Sequence, residues 1–338
     1  MQIKSLNIKN FKSIVDITIN EPNPFTVFVG PNGSGKSNIF EALEFYISER
    51  SLNENYKLFG GESSISNRKL VNEIIHTFEI ITDNLKRKHN FNQKTLDSNK
   101  FKGFIINSDE ELDRMDYDLY NQETQENEVW SEFTNSFSRV FIKNIEKQKI
   151  NYIDDSVLSF SASNLEKVLK RLLENEDKRE EISDWLSLFI PEFERIEVQK
   201  SQFSSNEDLL IYQKHYNEPF NKELISDGTY NIIALLTAVY QSDEPQFLCI
   251  EEPENGLHPK VIKELVNLFR DACERFGHYI WINTHSQTLV SKLEPNEIIL
   301  VDKKEGQTKI KQVKDINLHG FEMDEAWLSN ALGGGLPW

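Results

Sequence analysis

The sequence predicts an α/β fold: a mainly parallel sheet covered on both faces, opened by N-terminal antiparallel strands and interrupted by an inserted mixed α/β or helical lid domain. Three observations carry this. Short apolar runs alternate with helix-length amphipathic stretches in the C-terminal half. The apolar run Phe25 to Val29 passes through a glycine-rich loop into the helical spacing Ile39, Leu43, Ile47. Between residues 51 and 191 the texture turns to Asn, Asp, Glu and Ser.

Taken in order, Gln2 to Ile8 and Ile14 to Ile19 alternate apolar with polar residues, as half-buried strands do, and Pro24 precedes the third strand, Phe25 to Val29. A helix follows from Ser37. Within the polar segment, Ile74 to Ile81 and Phe101 to Ile106 read as strands, and Leu165 to Leu173 and Ile182 to Phe189 as helices. Asn107 to Glu128 reads either as a mobile loop or as surface turns with a helix. Ordered patterning returns with strands Phe193 to Val198 and Leu209 to Tyr212 and a helix from Gly228 to Tyr240. The strand Phe247 to Ile250, a helix from Pro259 to Phe276 stopped by Gly277, and the strand His278 to Asn283 complete the pattern. Apolar strands of this kind belong to a parallel sheet, so a ligand site is expected at their carboxyl ends.

The composition is that of a globular chain: 338 residues, 38% hydrophobic and 28% charged. No apolar run approaches the roughly 20 residues of a bilayer helix. The N-terminus lacks a signal-peptide pattern, and the two cysteines, Cys249 and Cys273, do not make a disulfide framework, so a cytoplasmic protein is expected. The net charge of −17 disfavours non-specific attraction to nucleic acid or anionic membrane. Lys86-Arg87-Lys88 reads as a solvated turn or, alternatively, a phosphate contact.

Gly30-Pro31-Asn32-Gly33-Ser34-Gly35-Lys36-Ser37 has the composition of a polyphosphate cradle. Backbone N–H groups at a helix N-terminus bind phosphate oxygens, and Gly33 and Gly35 remove side chains that would block the approach. Lys36 supplies a mobile charge for the β- and γ-phosphates, and Ser37 a hydroxyl for Mg²⁺. Glu251 and Glu252 end the apolar strand Phe247 to Ile250. Beside a phosphate loop the first acid would hold magnesium through its shell, and the second would orient and activate a water. Away from one they would be solvated surface. His285 closes a second apolar strand, where an imidazole reaches a γ-phosphate as a sensor. Ser226 and Gly228, with the helix after them, make either a second anion site or a plain helix cap. One chain does not easily bring two anion sites to one nucleotide, whereas a two-fold dimer does.

Together these residues resemble the P-loop NTPases of ABC type in the SMC, RecF and OLD group, including the short "AAA family" ATPases of bacterial defence operons. The resemblance rests on Ile8-Lys9-Asn10-Phe11-Lys12-Ser13, the Walker A loop, the Ser226-Asp227-Gly228 signature, the Walker B run through Glu252-Pro253-Glu254-Asn255-Gly256-Leu257-His258-Pro259, and His285. It implies an ATPase head over 1–50 and 192–302, an insertion or lid over 51–191, and a C-terminal extension over 303–338. It further implies ATP contacts from Asn32, Gly33, Ser34, Gly35, Lys36, Ser37 and Asn38, with Ser226 and Gly228 completing the site of a second copy. Ser37 and Glu251 would hold Mg²⁺, Glu252 would be the catalytic base, and His285 the γ-phosphate switch. Glu251 stands where such ATPases more often carry Asp. The Q-loop glutamine has no clear position: the strand around Phe78 lacks one, and Gln93 is a weak candidate.

The segment 51–191 has no heptads, which excludes the long coiled coils of SMC and Rad50 proteins. The residues after Lys303 are too few for a TOPRIM nuclease domain like that of OLD proteins. The leading expectation is a regulatory ATPase that dimerises around ATP and controls a separately encoded effector, a nuclease, in anti-phage defence. The alternative is a RecF-like, ATP-dependent DNA-binding protein. A transporter subunit fits the N-terminal segment poorly, and no membrane partner is expected. The tail Ala331 to Trp338 reads either as a flexible glycine linker with an apolar anchor for a partner, or as a segment packed on its own domain.

Overall fold

The computed structural model describes residues 2–47, 52–69, 75–83, 85–92, 125–142, 156–200, 207–314, 316, 318 and 320–336. The chain divides into two compact units, Met1–Phe137 with Tyr279–Trp338, and Ser138–His278.

The first unit opens with β1 (Ile3–Phe11), β2 (Ile14–Asn20) and β3 (Phe25–Val29). It continues through α1 (Lys36–Ile47), α2 (Leu52–Leu58), α3 (Glu62–Ile65), β4 (Ile75–Thr82), β5 (Lys86–Asn92) and α4 (Gln125–Ser136). β1 and β2 form a hairpin whose register ends at Phe11 opposite Ile14, and β4 and β5 extend it into a four-stranded antiparallel sheet of order β2-β1-β4-β5. Lys86-Arg87-Lys88 therefore lies in a strand and not in a turn. Arg87 is buried, its guanidinium carbon 5.1 Å from the Trp130 ring centroid, so packing overrides what three basic residues suggest locally.

The second unit holds β6 (Phe137–Val140, its first residue assigned to the first unit), α5 (Leu165–Leu173), α6 (Glu176–Phe189), β7 (Phe193–Lys200), β8 (Glu207–Gln213) and β9 (Phe220–Asn221). It closes with α7 (Asp227–Tyr240), β10 (Phe247–Glu251) and α8 (Pro259–Phe276). β7, β8 and β9 make an antiparallel sheet, and β10 is hydrogen-bonded to β6. α5 packs on α6, α7 and β7. α7 is buried from Asn231 to Tyr240, as expected of a helix apolar on every face.

The chain then returns to the first unit with β11 (Tyr279–Thr284), α9 (Gln287–Val290), a 3₁₀ turn at Pro295–Glu297, β12 (Ile298–Lys304), β13 (Gln307–Gln312) and α10 (Met323–Leu328). Here β11 and β12 flank β3 in parallel, and β13 pairs antiparallel with β12. All five residues of β3 are buried, which explains its unbroken apolar run. Phe28 meets Phe40 of α1 edge-on at 5.4 Å and Trp281 of β11 at 5.3 Å, which fixes the helix after the glycine loop on the sheet.

The glycine tail does not run free. Gly335 N–H donates to Asp302 Oδ1 at 2.7 Å, Trp327 Nε1 donates to the Gly335 carbonyl at 3.0 Å, and Leu332 is fully buried. Trp338, Gln93 and the expected strand Phe101 to Ile106 lie outside the described residues, as does most of Asn107 to Glu128, whose last four residues open α4. Among the described residues no helix is long and apolar enough to cross a membrane, and Cys249 and Cys273 are outside any disulfide.

Candidate nucleotide-binding site

The residues singled out in the sequence fall into two groups, one in each unit. In the first unit the loop Gly30 to Gly35 joins the carboxyl end of β3 to α1, the strand-to-helix setting a phosphate cradle requires. Gly33 has φ 78° and Gly35 φ 104°, conformations that turn successive backbone N–H groups to one side. A Cβ on Gly35 would lie 2.0 Å from Thr308 Oγ1, so glycine is required there by space as well as by conformation. Lys36 is buried at the start of α1, and its Nζ donates to the carbonyls of Gly30 at 2.7 Å and Pro31 at 3.0 Å. Ser37 Oγ lies 3.5 Å from Asn283 Nδ2.

Register places the histidine. Thr284 of β11 stands opposite Val29 of β3, so His285 leaves its strand at the level where Gly30 leaves β3. His285 is exposed and shares with Gly30 to Ser34 a cleft of about 820 Å³, whose far wall includes Lys303, Lys304 and Leu328.

Two residues to which the sequence assigns no role support the loop from behind. Thr308 Oγ1, on β13, donates to the Ser34 carbonyl at 2.9 Å and lies 2.6 Å from Ser13 Oγ. Ser13 Oγ also accepts from Asn38 Nδ2 at 2.6 Å. The network ties the β1–β2 turn, β13 and the first turn of α1 to the phosphate loop. Ser13 belonged to the N-terminal motif without an assigned role, and Thr308 fell in the C-terminal extension.

In the second unit, Glu251 ends β10 with a buried side chain, and Glu252 follows at φ 46°. A non-glycine residue in that region costs on the order of 1–3 kcal/mol, a strain found where a side chain must be aimed. Asn255 Nδ2 donates to Glu252 Oε2 at 3.1 Å. Asn231 of α7 donates from Nδ2 to the carbonyls of Pro253 at 3.0 Å and Asn255 at 2.8 Å, clamping the loop after the two acids. A Cβ on Gly228 would meet the Gly256 carbonyl at 2.5 Å, so that glycine is already required within its own chain. Ser226 caps α7, accepting the Thr229 N–H at 3.0 Å, and is exposed. Both halves of the signature thus serve as helix start and close-packing point.

Fold and loop together define a P-loop nucleotide-binding protein. The model of the family described as "AAA domain, putative AbiEii toxin, Type IV TA system" matches residues 25–291, and the chain belongs to this family. Its fold is that of the SMC head domains. The chain is 22% identical over 336 positions to an ATP/GTP phosphatase of Helicobacter pylori, which covers 86% of this chain and 87% of that protein. A segment of 52 residues, 15% of this chain, is 52% identical to the chromosome partition protein Smc of Halothermothrix orenii, of which it spans only 4%. Among solved structures, the SMC head domain of Thermotoga maritima superposes with a TM-score of 0.52 at 14% identity, covering 93% of this chain and all of that one. The Smc head domain of Pyrococcus furiosus, with an extended coiled coil and bound to the C-terminal domain of ScpA, reaches 0.58 at 15% identity, covering 98% and 99%.

The donors present suit magnesium in kind: Ser37 offers a hydroxyl in the first unit, and Glu251 and Glu252 offer carboxylates in the second, hard oxygens of the sort Mg²⁺ takes beside phosphates and waters.

Proposed function

We propose that the chain is a regulatory ATPase in which two copies close around ATP and so control a separately encoded effector, a nuclease, in anti-phage defence. The observation that carries the nucleotide chemistry is the cleft shared by the phosphate loop and His285. In this reading 1–50 and 192–302 make the ATPase head, 51–191 the insertion and 303–338 the C-terminal extension. Lys36 and the N–H groups of Asn32 to Asn38 bind the phosphates. Glu252 takes a proton from the water that attacks the γ-phosphorus, ADP leaves with the electron pair of the broken P–O bond, and His285 contacts the transferred group. Mg²⁺, when bound, neutralises phosphate charge; Ser37 and Glu251 hold it. Ser226 and Gly228 face the nucleotide of the second copy, and the exposure of Ser226 and of Leu224, 66% exposed just before it, supports an interface there.

A family description that places related chains in a TA system supports a chain acting as one member of a set. The test is co-purification with the product of the adjacent gene, together with ATP turnover by wild type and Lys36→Ala. The reading expects a stable complex, turnover lost in the variant, and no DNA cleavage by the isolated chain. Cleavage by this chain alone contradicts it. The short, strong likeness to chromosome partition proteins favours a second reading, a RecF-like ATP-dependent DNA-binding protein for repair or replication. Salt-sensitive, ATP-dependent binding to DNA ends without any effector would select it.

A further inference from the structure

The second unit contains a buried ion pair of which one member, Arg139, has no part in the proposed reaction. Arg139 lies on β6, the strand hydrogen-bonded to β10, and its side chain is 4% exposed; that of Glu251 is 5% exposed. Arg139 Nε donates to Glu251 Oε1 at 2.7 Å, and Nη2 donates to the same oxygen. The guanidinium carbon lies 4.9 Å from the ring centroid of buried Phe160, which fixes the plane of the fork. Glu251 follows Phe247, Leu248, Cys249 and Ile250, all fully or almost fully buried, so its carboxylate stands at the edge of an apolar layer, where an uncompensated charge is costly. Arg139 supplies the compensating charge.

Glu251 is also the acid assigned to magnesium. A carboxylate oxygen that accepts two charged N–H bonds has less electron density to give a metal, and a guanidinium and a divalent cation compete for the same lone pairs. We propose that Arg139 is a positioning residue that holds and neutralises Glu251, and that Glu251 exchanges this contact for Mg²⁺ when metal-bound nucleotide is loaded. Arg139 thereby sets how much nucleotide binding depends on the metal. The proposal rests on the reading of Glu251 given above.

The test compares the affinity of the full chain for a fluorescent ATP analogue in Mg²⁺ and in EDTA. Removing the competitor in Arg139→Gln raises the ratio of the dissociation constant in EDTA to that in Mg²⁺ by about ten-fold, the effect of one close opposite charge. Arg139→Lys, which keeps the charge and loses the fork, raises it less and serves if the Gln variant does not fold. Adding Glu251→Gln to either variant erases the rise, because no carboxylate remains to contest. An unchanged ratio in both single variants overturns the exchange while leaving the nucleotide site intact. A wild-type chain that binds no nucleotide in either buffer overturns the site reading itself, and the exchange with it.

Discussion

Gly35 and Thr308 show how much of a phosphate loop is decided by single atoms. Gly35→Ala forces a Cβ into Thr308 Oγ1 at a backbone angle that L-residues rarely adopt, while the pairing of β3 with β11 and β12 remains. The expected outcome is loss of ATP binding with the circular dichroism spectrum retained, measured by titration of a fluorescent nucleotide. Thr308→Val keeps the volume and removes the hydroxyl that holds the Ser34 carbonyl and Ser13. At about 1 kcal/mol for such a hydrogen bond, nucleotide affinity falls roughly five-fold, and Thr308→Ser restores it. The loop was legible in the sequence because its glycines and lysine sit within eight consecutive residues. Thr308 was not, since it reaches Ser34 from 274 positions away and a lone threonine in a polar strand carries no pattern. Arg139 was hidden likewise, 112 positions from Glu251.

Elements with strong local signals form where the sequence places them. α8 runs from Pro259 to Phe276 with His258 as N-cap, proline in its first turn, and Gly277 at φ 68° as its stop. Gly277→Ala keeps the contacts and strains the stop, lowering unfolding free energy by about 1 kcal/mol in urea denaturation. β3, β10 and β11 were equally readable, because strands buried on both faces are apolar throughout. β5 was not: its side chains include Lys86, Arg87, Lys88 and His89, and only pairing with β4 makes it a strand. The signature at Ser226 to Gly228 illustrates a different limit. The sequence leaves either an anion site or a plain helix cap there; within one chain the structure shows the cap and a backbone contact, and the role toward a second copy is a proposal.

For the whole molecule, buried histidines impose a dependence on pH. Burial pushes His278 down to about 4; its Nδ1 accepts from Gln246 N–H at 3.2 Å, and its Nε2 lies 3.2 Å from the Val239 carbonyl. Burial pushes His89 down to about 3, helped by Arg87, and lowers His76 as well. These groups stay neutral when folded and bind protons when unfolded, so stability is full above the unfolded value of about 6.5 and falls as pH drops towards 4. From pH 7 to pH 5, His278 alone accounts for about 2 kcal/mol, a loss that His278→Gln removes in denaturant titrations at the two pH values.

In the proposed reading, ATP controls the association of two copies. Lys36, Ser37 and His285 stand in one unit, and Glu251, Glu252, Ser226 and Gly228 in the other. In the proposed reading, the last two of these serve a second copy's nucleotide. Glu252→Gln keeps the shape of the residue and removes its capacity as a base, so ATP binds and is not turned over. The decisive measurement is the mass of this variant by light scattering at micromolar protein, with and without saturating Mg²⁺ and ATP. A mass that doubles with ATP and returns to that of one chain when nucleotide is removed is the predicted result; a single-chain mass at saturating, demonstrably bound ATP contradicts it.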